Sequence, residues 1–331
     1  MDKLKLINVS QIMKYKKNIL LVDDEIIIIE SNNNAIYKIL QLLSKGISVS
    51  TLKSNKEFDN VNINELIDLL KENGILKKYT PNKYKGHFIE KQWTYFDSLI
   101  ENDANISQEN IEKSVVCIIG LGGVGTVIID SLMRAGVRNF ILVDCDNVSI
   151  TNLNRQIMYG FNDIGKRKTS CIKKKILEFS KEISVEIFDK KILNSEDLLF
   201  LDNYPISMIV NAADKPNNIN ELIYTYAENK NIAVCSGAVG RNQGSWGPMI
   251  IPQKTISYKN FLRNELLKMH DFEKFIYKNS STPMDVSFGP YNAIISQFLS
   301  KDIIMYLSGH IEKIYSYEKR CGIDFNTMSF L

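Results

Sequence analysis

No apolar run in this 331-residue chain approaches the length of about 18 residues that a membrane-spanning helix needs. Its first residues, Met1-Asp-Lys-Leu-Lys5, lack the hydrophobic stretch of a secretory signal. Neither sign of charge dominates: 41 basic residues stand against 38 acidic ones, for a net charge of +3. A dedicated nucleic-acid binder concentrates positive charge, so this balance argues against one. The five cysteines, Cys117, Cys145, Cys171, Cys235 and Cys321, are scattered, and no C-x-x-C occurs. They read as small buried hydrophobes in a reducing cytoplasm. The three histidines, His87, His270 and His310, share no metal-ligand spacing, and none is assigned a catalytic role. What remains is a cytoplasmic chain with no membrane or nucleic-acid partner expected. Its hydrophobic content of 44% is ample for a buried core, and its length suits about two domains.

Against that background one stretch stands out. Val115-Val-Cys-Ile-Ile119 is a short apolar strand that enters the turn Gly120-Leu-Gly122-Gly123-Val-Gly125. A helix-like segment, residues 126–135, leaves it, and a second strand, Phe140-Ile-Leu-Val143, ends in Asp144-Cys-Asp146. This βαβ order lays phosphates over a helix N-terminus and a ribose against an acid. Alone it suits NAD as well as a nucleoside triphosphate. The downstream residues favour the triphosphate: Asn152-Leu-Asn-Arg155-Gln156, Gly165-Lys-Arg-Lys168 and Val210-Asn-Ala-Ala-Asp214. A triphosphate with Mg²⁺ calls for cations around the phosphates and a carboxylate for the metal.

Residues 1–80 read as a separate small domain. Residues 17–22 and 26–29 flank a polar turn and suggest a hairpin. Two segments at helical spacing follow, around Ile36–Leu43 and Ile63–Leu70, with Gly46 and Gly74 as stops. Hairpin and helices together give a winged-helix-like order. DNA binding is one reading, but the candidate recognition helix, residues 62–72, carries Glu65, Asp68 and Glu72 against Lys71 alone and would repel phosphates. A structural or dimerising role is another reading. The favoured one is binding of an extended peptide as an added strand. Residues 81–110 read as a linker with an aromatic cluster, and 111–331 as the nucleotide domain. In that domain residues 260–278 read as a crossover loop or a helix, and residues 294–307 as a buried helix.

The motifs resemble the ubiquitin-activating-enzyme-like superfamily of ThiF/MoeB type, whose pattern runs G-x-G-G-x-G, D-x-D, N-L-x-R-Q, G-x-x-K and an Asp after an apolar strand. Within it the chain is most similar to the branch that adenylates microcin C and related ribosomal peptides, through the Asn-Leu-Asn-Arg-Gln run, Gly247-Pro-Met-Ile-Ile-Pro252 and the N-terminal domain. The resemblance implies an α/β fold: a Rossmann-like ATP-binding adenylation domain preceded by a small winged-helix-like peptide-recognition domain. It implies ATP or another nucleoside triphosphate with Mg²⁺, a ribosomally made precursor peptide as partner, and a homodimer. Gly120, Gly122, Gly123 and Gly125 would cradle phosphates, and Asp144 would hold the ribose. Asp146 and Asn152 would orient ribose or metal. Arg155, beside Gln156, would grip the outer phosphates, Lys168 the α-phosphate, and Asp214 the metal. Arg155, Lys168 and Asp214 form the expected catalytic set. Many relatives carry two zinc-binding C-x-x-C pairs. This chain has neither, so no zinc is expected. No Cys lies between Pro252 and Pro290, so no thioester relay is expected. Relatives also place an Arg in the segment before the nucleotide domain that reaches a partner subunit's triphosphate. Here that stretch is Lys83-Tyr-Lys85-Gly-His87, without Arg. The acyl acceptor stays open: the activated carboxylate is joined to a nucleotide or captured within the peptide. A third reading is a non-catalytic leader-binding partner of another enzyme.

Overall fold

A computed structural model of the chain describes residues 3–99, 102–279 and 286–331. It divides into two compact units, residues 1–106 and 107–331.

The first unit holds β1 (Lys3–Leu6), β2 (Gln11–Tyr15), β3 (Asn18–Val22), β4 (Ile26–Ile29), α1 (Asn34–Leu43), β5 (Ile47–Ser48), α2 (Val49–Ser54), α3 (Ile63–Glu72), β6 (Leu76–Lys78) and α4 (Glu90–Ser98); α5 (Ala104–Lys113) begins in it. The expected hairpin forms as β3 and β4, with Val22 paired to Ile26. A strand that the sequence reading did not contain, β2, completes the antiparallel sheet β2-β3-β4. Its residues, Gln11-Ile-Met-Lys-Tyr15, are largely exposed and lack a clean apolar alternation, so pairing with β3 makes it a strand. β5, β1 and β6 form a second small sheet. Asn33 caps α1 by accepting from the Ala35 N–H, and Asn62 caps α3 by accepting from that of Glu65. The buried faces of these helices, Ile39, Leu40 and Leu43 with Leu66, Ile67 and Leu70, join Ile19 and Leu21 in one core. Residues 47–52 supply both a strand and a helix, because Ser48 ends β5 and caps α2.

The stretch read as a linker is folded. Trp93 Nε1 donates to Asn105 Oδ1 at 2.8 Å, and Asn105 donates to the Pro81 carbonyl at 3.1 Å. Asp97 on α4 is buried and ion-paired to Lys5 of β1 at 2.9 Å and Lys77 of β6 at 2.8 Å. A carboxylate held this way between two strands makes α4 part of the first unit.

The second unit comprises β7 (Val115–Ile119), α6 (Gly123–Arg134), β8 (Asn139–Val143), α7 (Lys168–Phe179), β9 (Ser184–Phe188), β10 (Met208–Asn211), α8 (Ile219–Asn229), β11 (Ala233–Val239), β12 (Gln243–Trp246), α9 (Tyr258–Lys268), α10 (Asp271–Asn279), α11 (Gly289–Ser308), β13 (Cys321–Asp324) and β14 (Ser329–Phe330). Its sheet runs β14-β13-β12-β11-β10-β7-β8-β9. The five strands from β11 to β9 are parallel, and β12 to β14 join antiparallel. Strand order reverses between β7 and β10, which opens a crevice at their C-terminal ends. The fold is a mixed α/β fold built on this large, mostly parallel sheet. Residues 260–278, left open between a loop and a helix, contribute α9 and α10. The helix over 294–307 is there, begins five residues earlier at Gly289, and is buried on several faces. Among the described residues no helix is long and apolar enough to cross a membrane.

α11 is anchored by a buried acid. Asp302, fully buried, accepts from Trp246 Nε1 at 3.3 Å, from the Tyr315 and Ser316 N–H groups at 2.9 Å each, and from Ser316 Oγ at 2.7 Å. Lys301 supplies a counter-charge at 3.1 Å. Asp302→Ala strands these donors in the core. It is expected to cost about 3 kcal/mol in urea unfolding; a midpoint within error of the wild type would show that the bonds add nothing.

Candidate active site

The glycine turn is shaped by close approach. Gly120 adopts φ +94°, and a Cβ there would stand 2.5 Å from the Ala213 nitrogen. A Cβ on Gly125 would meet the Gly120 carbonyl oxygen at 2.1 Å, so the turn cannot close around a larger residue. α6 starts at Gly123, three residues before the sequence expectation, and its N-cap Gly122 offers no side-chain acceptor to the first N–H groups. Those groups are therefore available to an anion.

Asp144, at the end of β8, braces this turn. Its Oδ2 accepts from the Leu121 N–H at 2.7 Å, and its Oδ1 accepts from the Asp146 N–H at 2.8 Å. Burial raises its pKa, against the opposing pull of Lys168 and these N–H donors. Lys168, the first residue of α7, is buried. Its Nζ lies 2.8 Å from Asp146 Oδ2 and 3.9 Å from Asp144 Oδ2. Partial burial pushes Asp146 up, but the Lys168 hydrogen bond and charge outweigh it, and its pKa is lowered. Asp146 is thus ionised at neutral pH and holds the ammonium in place.

Arg155 lies across the turn: its Cγ would stand 3.3 Å from a Cβ on Gly123. One nitrogen of its fork, Nη1, donates to the Thr151 carbonyl and to Asn154 Oδ1, both at 2.9 Å. Gln156 is buried close to Gly122, and its Oε1 has no hydrogen-bond partner. Asn152 caps its own turn by accepting from the Ser149 N–H at 2.9 Å. Asp214 sits exposed on the loop after β10, and Lys215 beside it is near enough to Asp146 to lower that group's pKa. The structure therefore brings the glycine turn, Asp144, Asp146, Arg155, Gln156 and Lys168 together at the crevice, with the Asp214 loop along its edge.

Two residues that sequence reasoning missed complete the enclosure. The Tyr159 hydroxyl donates to the Leu121 carbonyl at 2.9 Å. Asn292 on α11 packs its amide against Gly123, where a Cβ would meet its Oδ1 at 2.4 Å. Asn292 directly follows Phe288-Gly-Pro-Tyr291; residues 280–285 before it lie outside the described residues. Nothing local marks Asn292, because α11 reaches the turn across the sequence.

A glycine cradle that a Cβ would fill, helix N–H groups without a capping acceptor, and a buried ammonium suit a polyphosphate. For a divalent metal, Asp144, Cys145 and Asp146 offer ligand atoms within 4.8 Å of one another. Yet Asp144 is committed to backbone N–H groups and Asp146 to Lys168. The Asp214 carboxylate, with no such commitment among the described residues, fits a hard ion better.

Known proteins were compared with this arrangement. E. coli MccB, solved with AMPCPP and MccA, aligns at a TM-score of 0.78 and 23% identity over 100% of this chain and 96% of that one. The same protein has been solved with ATP and, as a microcin C7 biosynthetic enzyme, with N-formylated MccA. At this identity the likeness shows the fold. The tRNA threonylcarbamoyladenosine dehydratase of Haemophilus influenzae is 31% identical over 138 residues, 41% of this chain and 52% of that protein. The probable molybdopterin-synthase adenylyltransferase of Porphyra purpurea is 35% identical over 125 residues, 38% of this chain and 33% of that protein. The chain thus spans about half the length of the first of these curated relatives and about a third of the second. The sequence model of the ThiF family matches residues 96–331, the greater part of the molecule, and on that ground the chain belongs to the ThiF family.

Proposed function

We propose that the chain is an ATP-dependent adenylyltransferase that activates a carboxylate, at the C-terminus or on a side chain, of a ribosomally made peptide. The observation that carries this reading is Lys168: a buried ammonium fixed by Asp146 beside an uncapped helix N-terminus. An ammonium so placed stabilises charge that builds on an α-phosphate when a carboxylate attacks it and pyrophosphate leaves. The N–H groups of Gly122 to Gly125 would hold phosphate oxygens, Arg155 would take the outer phosphates, and Asp144 the ribose. Asn152 and Gln156 would shape the same turn. Asp214 would hold Mg²⁺, which screens phosphate charge when bound.

The first unit is assigned to the precursor peptide. Residues 1–80 are read as a winged-helix-like recognition module; β4 is an edge strand whose Ile26 and Ile28 are exposed. An added peptide strand would gain backbone pairing there and cover these side chains. Supporting this assignment, MccB, with which the whole chain shares its fold, has been solved with MccA. A homodimer and a cytoplasmic location belong to the same reading.

Titration calorimetry tests the nucleotide. ATP or another nucleoside triphosphate is expected to bind with Mg²⁺, and NAD not at comparable concentration. Tight NAD binding without triphosphate binding would overturn the reading. Mass spectrometry of candidate precursor peptides incubated with ATP then separates a nucleotidylated product from a cyclised one. Triphosphate binding without turnover on any peptide would favour the leader-binding partner instead.

A further inference from the structure

Residues Ser287 to Asn292 join the two walls of the nucleotide crevice. On one wall, a Cβ on Gly289 would meet the Asn154 carbonyl oxygen at 2.8 Å and the Arg155 Cα at 3.7 Å, so the start of α11 lies directly against this dipeptide. Asn154 Nδ2 donates to the Ser287 carbonyl at 3.4 Å. On the other wall, Asn292 faces Gly123. Its Nδ2 donates to Ser287 Oγ at 3.0 Å and to the Phe288 carbonyl at 2.8 Å. Ser287 thus takes a hydrogen bond from each wall, one on its carbonyl and one on its hydroxyl.

Asn154 occupies the place that the N-L-x-R-Q pattern leaves open. It is exposed, so it is not part of the core. Its side chain instead commits part of Arg155. Nη1 of a guanidinium carries two hydrogens, and both are taken here: one by the Thr151 carbonyl and one by Asn154 Oδ1, at 2.9 Å each. Among the described residues no acceptor is bonded to Nη2 or Nε, so the donors on that edge remain for a phosphate. The Ser287 carbonyl can only accept. It therefore selects the NH₂ end of the Asn154 amide and turns the oxygen end toward Arg155.

We propose that Asn154 is a positioning residue for the triphosphate: bridging Ser287 and Arg155, it fixes the guanidinium before the nucleotide arrives and leaves Nη2 and Nε for the outer phosphates. The inference rests on the adenylation reading, in which Arg155 takes those phosphates. An arginine side chain that is already held loses less conformational freedom on binding, and the difference appears as affinity. The effect is confined to ligands with outer phosphates. AMP, which lacks them, gains nothing from it.

Calorimetry on the full chain, comparing Mg·ATP with AMP, tests this. Asn154→Leu is similar in size and has no hydrogen-bonding atoms in its side chain. It is expected to weaken Mg·ATP binding about 5-fold, the effect of leaving one long side chain unordered before binding, and to leave AMP binding unchanged. Arg155→Met should weaken Mg·ATP binding further. Beside Arg155→Met, Asn154→Leu should add less than about a 2-fold loss, because its route to the ligand is gone. Asn154→Ala removes the same two bonds with less bulk and should give the same pattern, which covers the case that leucine is not accommodated. Unchanged Mg·ATP affinity in the folded variants would overturn the positioning role. So would an equal loss for AMP, or the same loss persisting beside Arg155→Met; each of these leaves adenylation standing. A wild type that binds neither Mg·ATP nor AMP would overturn both readings.

Discussion

Asp214→Ala is expected to lower pyrophosphate release by about 10³-fold in the presence of Mg²⁺, with the fold intact. A bound divalent ion supplies several kcal/mol of charge stabilisation at a phosphoryl centre, and each ~1.4 kcal/mol is tenfold in rate. The protein should survive the change, because Asp214 is exposed and follows the buried strand Met208–Asn211 without taking part in it. Exposed substitutions of this kind shift stability by roughly 0.5 kcal/mol or less. The informative measurement is the rate as a function of Mg²⁺ concentration. A raised Mg²⁺ requirement would mark Asp214 as a ligand; a near-normal rate at low Mg²⁺ would remove it from the site and return attention to Asp146.

Lys168→Met is expected to reduce turnover by roughly 10²–10³-fold, the usual effect of removing one preorganised donor from a developing oxyanion. Its second consequence follows from the geometry. Lys168 is the charge that opposes the upward push of burial on Asp144, and it is the main cause of the lowered pKa of Asp146. Without it both carboxyls should titrate higher. A carboxylate with a depressed pKa favours the folded state above its unfolded pKa, and that contribution fades as pH falls through the depressed value. The wild type should therefore gain stability from Asp146 at neutral pH, and the variant should lose this gain. Melting temperatures of the two proteins should differ most near neutrality and converge in acid below the lowered pKa of Asp146. A constant difference across pH would show that the loss of Lys168 acts through packing alone. Nucleotide affinity separates the roles further: a drop in turnover with a small change in ATP binding places Lys168 on the attack step.

Much of the second unit was legible because its signals are local. An apolar run such as Val115–Ile119 is a strand buried on both faces, and glycines three and five residues apart admit a turn that few other sequences could close. Asp144 and Asp146 follow their strand immediately, and Lys168 follows Gly165 by three residues. Asn292 and Tyr159 escaped because their partners are set by how α11 and the 150–163 turn pack, and their own neighbours in sequence carry no sign of it. The fold of residues 81–106 escaped for a similar reason. Lys5, Lys77 and Asp97 are unremarkable charges until three separate elements bring them within 3 Å. Helix α6 was placed late because helix propensity penalises glycine, whereas close packing at Gly123 and Gly125 requires it.

The sequence by itself determined the class of fold, the glycine turn and the residue types around it, since periodicity and motif spacing are properties of a few neighbouring positions. The tertiary structure alone decided how those residues are committed. It turned Asp144 toward the backbone of the glycine turn, bound Lys168 to Asp146, and left the Gln156 carbonyl buried without a partner. Burial and distance between remote segments fix charge state and availability, and neither quantity exists until the sheet has formed and α11 has closed over it.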